Sequence, residues 1–203
     1  PRLNATGRLS HAQTSYNLLK THDASYAVSL AKELEVQNQQ RKTITQQCLN
    51  QALEKINPDE LTKVIIVKQA DWPSGIIGLL ASKLAEQFSR PALALSLNEN
   101  IWKGSARSLD YFHITEALNK ISPCLDRFGG HARAAGFSVN AEKINFFEQE
   151  FLALAQKQIE DEWLVPTLLY DAEVADLLLQ WDLLSLIEKF APFGSENTKP
   201  VLV

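Results

Sequence analysis

Residues 128–137 have the sequence Phe-Gly-Gly-His-Ala-Arg-Ala-Ala-Gly-Phe, which holds three of the chain's eight glycines and one of its four histidines. The paired Gly129 and Gly130 allow positive φ and a close approach of the backbone to a ligand. His131 and Arg133 supply hydrogen-bond donors that suit phosphate oxygens. The stretch therefore predicts a glycine-rich loop that holds an anion.

The remaining five glycines are also confined to a few places, at Gly7, Gly75, Gly78, Gly104 and Gly194. An arginine lies within three residues of two of them, since Arg8 follows Gly7 and Arg107 follows Gly104. A tight turn is enough to explain any one of these glycines. Taken together, however, the set favours several segments that approach a phosphate.

Length and composition limit the class of protein. The chain has 203 residues, 45% of them hydrophobic, which suits one large or two small domains. We expect a cytoplasmic protein without a membrane segment, because no apolar run is long enough to cross a bilayer and no signal peptide opens the sequence. The two cysteines, Cys48 and Cys124, are too few for a disulfide framework and are not spaced as metal ligands. Because the chain lacks methionine and begins at Pro1, we expect a piece of a longer protein.

Charge is distributed unevenly over a chain whose net charge is −4. Residues 101–136 contain five Lys or Arg against three acids, whereas residues 158–188 contain eight acids and no Lys or Arg. This pattern favours a focused phosphate site over a broad, sequence-independent DNA-binding face.

The first third of the sequence predicts helices. Residues 1–9 have the character of a loop or strand end, and a short helix is expected over 12–20. Asp23 is a good N-cap for a long helix over 24–56, about 50 Å long at 1.5 Å per residue. The polar run 37–42 favours a connector whose centre lies in solvent, and two helices with a break near Gln37 are the alternative.

From residue 62 the pattern changes to alternating strands and helices, which predicts a layered α/β domain. Strands are expected at 64–67, 91–95, 101–108 and 137–139, and helices at 76–88, 113–120 and 143–160. The last forty residues predict a strand over 163–174, an amphipathic helix over 176–190, a turn at 191–194 and the beginning of a strand at 200.

Several of these motifs together resemble one family. Residues 128–136 match the signature of the DHH-associated domain, the second domain of DHH-type phosphoesterases, and the whole chain is most similar to the RecJ-type single-strand-specific DNA exonucleases. Four further stretches agree with this resemblance, at residues 1–9, 72–78, 104–108 and 192–200. In place of the Gly-Asn-Pro that usually follows Pro192-Phe193-Gly194 in such chains, this sequence has Glu196-Asn197-Thr198.

The resemblance implies an organisation and a chemistry. It places the end of a catalytic DHH domain at 1–10, connector helices at 11–57, the DHH-associated domain at 58–162 and the beginning of an oligonucleotide-binding (OB-like) module at 163–203. RecJ-like enzymes remove nucleotides from the 5′ end of single-stranded DNA in repair and recombination, with Mn²⁺ or Mg²⁺ held by the DHH domain. The resemblance therefore implies that the metal-binding half is a missing N-terminal DHH domain of the same polypeptide. It also implies that this fragment holds no metal and is inactive alone.

The resemblance also suggests a role for individual residues. Ser105 and Arg107 are expected to bind a phosphate, and Gly129, Gly130 and His131 to approach the scissile phosphate, with His131 donating to a developing anionic oxygen. Arg133 is a weaker candidate, because the family pattern is variable there. Further candidates are Arg2, Asn4 and Arg8, which line the cleft from the other side, unless Asn4 and Arg8 only hold the domain junction.

Two other functions remain open at this stage. One is an oligonucleotide or nucleotide phosphatase of the same superfamily, which the long connector and the Pro-Phe-Gly module argue against. The other is a nucleic-acid-binding module without catalysis. The sequence also leaves two roles for Trp72, whose ring either stacks on a base or anchors the core.

Overall fold

The computed structural model describes residues 2–9, 11–175, 179–194 and 196–203. Its contacts divide the chain into two compact units, Pro1–Val165 and Pro166–Val203. The helices are α1 Arg2–Leu9, α2 Gln13–Lys20, α3 Ala24–Leu53, α4 Ile77–Phe88, α5 Ile114–Lys120, α6 Ile144–Gln158 and α7 Trp181–Glu188. The strands are β1 Ile65–Lys68, β2 Ala92–Asn98, β3 Ile101–Arg107, β4 Arg127–His131 and β5 Ala134–Asn140.

The first residues form a helix, so the prediction of a loop or strand end at 1–9 is wrong. Helix α1 packs on α2 and α3 and buries Ala5 and Thr6 completely. The Thr6 and Ser15 hydroxyls lie 2.9 Å apart and tie α1 to α2. Packing on two neighbouring helices therefore overrides the weak helix propensity of Asn4 and Gly7.

The long connector is one continuous helix, and there is no break near Gln37. Asp23 caps α3 as predicted, since its carboxylate accepts from the backbone N–H groups of Ser25 and Tyr26. The thirty residues of α3 span about 45 Å. Its centre is not simply solvated, because Asn38 and Thr45 are buried and the Thr45 hydroxyl donates to the Arg41 carbonyl at 2.7 Å.

The five strands form one sheet in the order β1-β2-β3-β5-β4. Strands β1 and β2 are parallel and are connected through α4, and all other neighbours are antiparallel. Five residues of β2, from Ala92 to Ser96, are buried, because helices cover both faces of this interior strand. The predicted α/β class is confirmed.

Two hydrophobic cores lie on opposite faces of the sheet. On one face α3 and α4 pack on β1 and β2, with Leu80 and Leu84 of α4 fully buried. On the other face α5 and α6 pack on all five strands, and Phe147 and Phe151 fill the space beneath Phe137. The result is a three-layer α/β/α unit. The α3 and α4 layer leaves β4 and β5 uncovered.

The glycine-rich stretch 128–137 is a β-hairpin, which corrects the prediction of a loop. Gly129, Gly130 and His131 belong to β4, and only Ala132 and Arg133 form the turn before β5. Gly130 has φ +158°, and a Cβ at this position would lie 2.2 Å from the Ala134 carbonyl oxygen. The glycine at this position is therefore required by close backbone packing inside the hairpin.

The second unit, Pro166–Val203, contains α7 and two isolated bridges, Ala172 with Leu202 and Gly194 with Asn197. The strand predicted over 163–174 is reduced to the Ala172 bridge, and a 3₁₀ turn occupies Asp161–Leu164. The predicted helix over 176–190 is observed as Trp181–Glu188, and its first three residues lie outside the described part of the chain. Asn197 donates to the carbonyls of Phe190 and Pro192, at 2.8 and 3.0 Å, and so holds the predicted turn.

None of the helices among the described residues is both long and apolar enough to span a bilayer.

Candidate phosphate-binding cleft

A cleft of about 660 Å³ lies where α1, the start of α4 and the centre of the sheet meet. Its polar wall is built from four segments of the chain. Those lining residues include Asn4, Gly7 and Arg8 of α1, Ser74, Gly75 and Gly78 around the start of α4, Lys103, Ser105 and Arg107 of β3, and Gly136 of β5. The lining contains five of the eight glycines of the chain, which are Gly7, Gly75, Gly78, Gly104 and Gly136.

Arg107 is the central cation of the cleft. Its Nη1 donates to the Ala106 carbonyl at 2.8 Å and lies 3.4 Å from the Ser105 hydroxyl. Burial, and then the nearby positive charge of Arg8, lower the pKa of the Arg107 guanidinium from its usual value. An arginine stays protonated in proteins, so the cleft holds a partly desolvated positive charge.

Arg8 approaches the same place from α1. Its Nη1 donates to the Gly75 carbonyl at 3.3 Å. A Cβ at Gly75 would lie 1.9 Å from the Arg8 carbonyl oxygen, so the two backbones touch at a point where no side chain fits. Glycine at position 75 thus brings Arg8 to the same side of the cleft as Arg107.

Gly78 opens the space in front of β3. A Cβ at this position would lie 3.1 Å from the Ser105 hydroxyl oxygen and 3.5 Å from Arg107 Nη2. The first turn of α4 therefore runs directly past both polar groups. No side-chain cap bonds to the helix N-terminus, whose partial positive charge adds to that of the two arginines.

The glycines and histidine of the hairpin lie beside the cleft on the same sheet. Gly129 of β4 pairs with Gly136 of β5, which pairs with Ser105 of β3. His131 is in register with Ala134, and Ala134 with Arg107. His131 is exposed, and at two strand spacings its Cα lies about 10 Å from that of Arg107.

The other predicted residues have different surroundings. Arg2 is exposed and forms an ion pair with Glu35 of α3, away from the cleft lining. Arg133 forms an exposed ion pair with Asp110 at the hairpin turn. Asn4 lines the cleft together with Arg8, while Arg8 also holds the α1 junction through Gly75.

The lining does not suit a divalent metal. Mn²⁺ and Mg²⁺ prefer carboxylate and other oxygen ligands, whereas the charged side chains of the lining are Arg8, Lys103 and Arg107. Among the residues that the structure describes, no three His, Cys, Asp or Glu side chains are grouped as metal ligands. The cleft suits an anion.

Comparison with known proteins identifies the family. The DHHA1 domain family matches residues 61–160. The single-stranded-DNA-specific exonuclease RecJ of Bacillus subtilis is 32% identical over 98% of this chain, and that of Escherichia coli is 33% identical over 99%. This chain belongs to the RecJ family. It spans 26% of the length of the B. subtilis relative and 37% of the E. coli relative.

Solved RecJ structures show the same fold. The crystal structure of Thermus thermophilus RecJ in complex with Mg²⁺ aligns over 98% of this chain and 31% of its own, with a TM-score of 0.88 and 29% identity. An exonuclease RecJ bound to manganese aligns over 77% of this chain and 39% of its own, with a TM-score of 0.69 and 32% identity.

Sequence reasoning missed Lys103 as part of the cleft and placed Gly75 and Gly78 only in a set of glycines that approach a phosphate. The two glycines were visible as a motif, but only the fold shows that they face Arg8, Ser105 and Arg107. Lys103 could have been found from strand periodicity, since it lies two residues before Ser105 on the same face.

Trp72 is a core anchor. It is 4% exposed, and its Nε1 donates to the Gln51 side chain at 2.7 Å. Its ring is therefore inaccessible to a nucleic-acid base.

Proposed function

We propose that this chain is the substrate-positioning part of a RecJ-like, metal-dependent exonuclease. That enzyme hydrolyses phosphodiester bonds of single-stranded DNA from the 5′ end, in DNA repair and recombination. The metals, Mn²⁺ or Mg²⁺, belong to a DHH domain of the same polypeptide outside these 203 residues. In this division of labour, the present chain holds the strand and the other domain supplies the metal chemistry.

The observation that carries the proposal is the pairing of two arginines in a cleft that no acidic side chain lines among the described residues. Arg8 and Arg107 are close enough for the charge of one to lower the pKa of the other. Such mutual repulsion is unfavourable until an anion binds. Arg107 presents a forked set of donors, and Ser105 adds a hydroxyl, which together match the oxygens of a terminal phosphate.

The register of the sheet supports a position for the next phosphate. Gly129 lies in the same row as Ser105, and a Cβ there would meet nothing within 4 Å. The scissile phosphate crosses this open surface at Gly129 and Gly136, while the space at neighbouring Gly130 is filled by the backbone of the hairpin. His131, exposed at the end of the row that begins with Arg107, donates to the oxygen on which negative charge develops.

A non-catalytic binding module is the second candidate. The cation-rich lining without metal ligands favours binding over hydrolysis for this chain by itself. The two functions are distinguished by joining the chain to a DHH domain. We expect the chain alone to digest no single-stranded DNA in Mn²⁺, and metal-dependent digestion by the purified chain would contradict the division of labour.

The phosphate role is tested with Arg107→Ala and 3′-labelled oligonucleotides that carry or lack a 5′-phosphate. Loss of a charge-assisted hydrogen bond is expected to weaken binding of the phosphorylated oligonucleotide roughly tenfold. The unphosphorylated oligonucleotide should lose much less. Arg107→Lys separates charge from geometry, because it keeps the cation and removes the fork.

Lys120→Ala is the matched control. It removes one exposed cation from α5, on the opposite face of the sheet. Equal losses for Lys120→Ala and Arg107→Ala would contradict a defined phosphate site, as would an Arg107→Ala variant that binds both oligonucleotides like the unchanged chain.

A further inference from the structure

A second row of cations crosses the open face of the sheet, apart from the pair formed by Arg8 and Arg107. Lys103 of β3 is in register with Ser138 of β5, and Ser138 with Arg127 of β4. Lys103 and Arg127 are exposed. Neither side chain forms a hydrogen bond or ion pair with a residue that the structure describes.

Side-chain alternation places this row on the same face as Arg107. Trp102, Phe128 and Val139, the sequence neighbours of the three row residues, pack into the core on the α5 and α6 side. Because successive strand residues point to opposite faces, Lys103, Ser138 and Arg127 point away from that core. They share the uncovered face with Arg107 and His131.

The spacing along the strands separates the two rows. Lys103 and Arg107 are four residues apart on β3, as are Arg127 and His131 on β4, which corresponds to about 13 Å. Between them lies the row formed by Ser105, Gly136 and Gly129. A Cβ at either glycine would meet nothing within 4 Å, so a sugar-phosphate backbone can lie close to the sheet there.

From this geometry we propose that Lys103 and Arg127 form a second phosphate subsite, which binds the strand downstream of the phosphate held by Arg107. The proposal rests on the proposed function, because it takes the Arg107 phosphate as the start of the strand. A bound strand runs across the three rows from Arg107 towards Lys103. The three rows carry no Phe, Tyr or Trp side chain, so the subsite recognises backbone charge and not base identity.

Oligonucleotide length separates the two subsites experimentally. The probes are 5′-phosphorylated thymidine oligonucleotides of two and eight nucleotides, labelled at the 3′ end. Arg127 of β4 is not among the residues that line the cleft, so the variant Arg127→Ala should bind the eight-nucleotide probe roughly fivefold more weakly and the dinucleotide within about twofold of the unchanged chain. The slope of log affinity against log salt should fall by about 0.7 for the longer probe, the value for one lost phosphate contact on a single strand.

A second variant tests the row without removing a cation. Ser138→Glu places a carboxylate between Lys103 and Arg127 and should reproduce the selective loss for the eight-nucleotide probe. Lys103→Arg/Arg127→Lys preserves both charges and should bind like the unchanged chain. Lys120→Ala/Lys157→Ala removes two exposed cations from α5 and α6 and should leave the binding of both probes unchanged.

The outcomes also distinguish the subsite from the proposed function. If Arg107→Ala weakens both probes but Arg127→Ala weakens neither, the subsite is wrong and the phosphate cleft stands. Equal losses on both probes, or the same losses in the α5 and α6 control, would also overturn the subsite. If Arg107→Ala changes neither probe, the proposed function itself fails.

Discussion

The face of the sheet that carries α4 has a covered half and an open half, and small residues have different uses in the two. Under α4, Ala92 and Ala94 of β2 are fully buried and allow the helix to pack closely on the sheet. In the open half, Gly129 and Gly136 are exposed, and an added Cβ would meet nothing. Small residues therefore allow a helix to pack closely in the covered half, and in the open half they leave room for a ligand to approach the sheet.

The largest expected difference between the halves is in stability. Leu80→Ala removes a fully buried α4 side chain from the covered half. The cavity should lower the free energy of unfolding by about 2–4 kcal/mol, as measured in urea. Ile101→Ala is the matched change in the open half, where Ile101 is 41% exposed, and it should cost less than about 1 kcal/mol. Equal losses would contradict the division of this face.

Glycine substitutions sharpen the same comparison at the cleft. Gly75→Ala forces a Cβ against the Arg8 carbonyl oxygen, which is backbone and cannot rotate away. The unfolding free energy should fall by about 2–3 kcal/mol. Gly136→Ala is the control and should change it by no more than about 0.5 kcal/mol. A Gly75→Ala variant as stable as the control would show that α1 is not seated on this turn.

Gly78→Ala should separate binding from stability, because Gly78 lies on the border between the halves. Alanine is favoured over glycine in a helix by about 1 kcal/mol, so the free energy of unfolding should not fall. The new methyl group presses on Ser105 and Arg107, and affinity for a 5′-phosphorylated oligonucleotide should fall about threefold, or about 0.65 kcal/mol. Gln87→Ala, on the exposed side of α4, is the control and should leave binding unchanged. A parallel loss in both variants would contradict the contact.

The smallest expected effect is at the rim of the open half. Asp110→Asn breaks the exposed ion pair with Arg133 and should change the unfolding free energy by less than about 0.5 kcal/mol. It also removes a negative charge from the hairpin turn and frees the Arg133 guanidinium. Oligonucleotide binding should therefore tighten about twofold at low salt, and less as salt screens the charge. Weaker oligonucleotide binding by this variant would contradict the expectation that the Asp110 charge opposes binding.

Much of the fold could be predicted from the sequence because hydrophobic period and capping act locally. The helix over 24–53 follows from the Asp23 cap and its apolar spacing, and the strand at β2 from a continuous apolar run. The helix at Arg2–Leu9 could not be predicted, because its stability comes from packing on α2 and α3. The strand at Gly129 and Gly130 could not be predicted either, because glycine is a poor strand former and the sequence does not show that this segment pairs with β5.

The candidate site was only partly accessible to sequence reasoning. Ser105, Arg107 and Arg8 were identified as residue types suited to phosphate, and they line one cleft. Their arrangement depends on close approaches at Gly75 and Gly78, which no local pattern encodes. The row that joins Lys103 to Arg127 depends on strand register, and register is set by tertiary packing.

Binding of single-stranded DNA to the open half of the sheet is tested most directly by a map of backbone amide shifts. A ¹⁵N-labelled 203-residue chain is titrated with a 5′-phosphorylated octathymidylate and followed by heteronuclear NMR. We expect the largest shifts at Gly75, Gly78, Ser105, Gly129 and Gly136, with little change in α5 and α6. Shifts concentrated in α5 and α6, or in Pro166–Val203, would contradict the account.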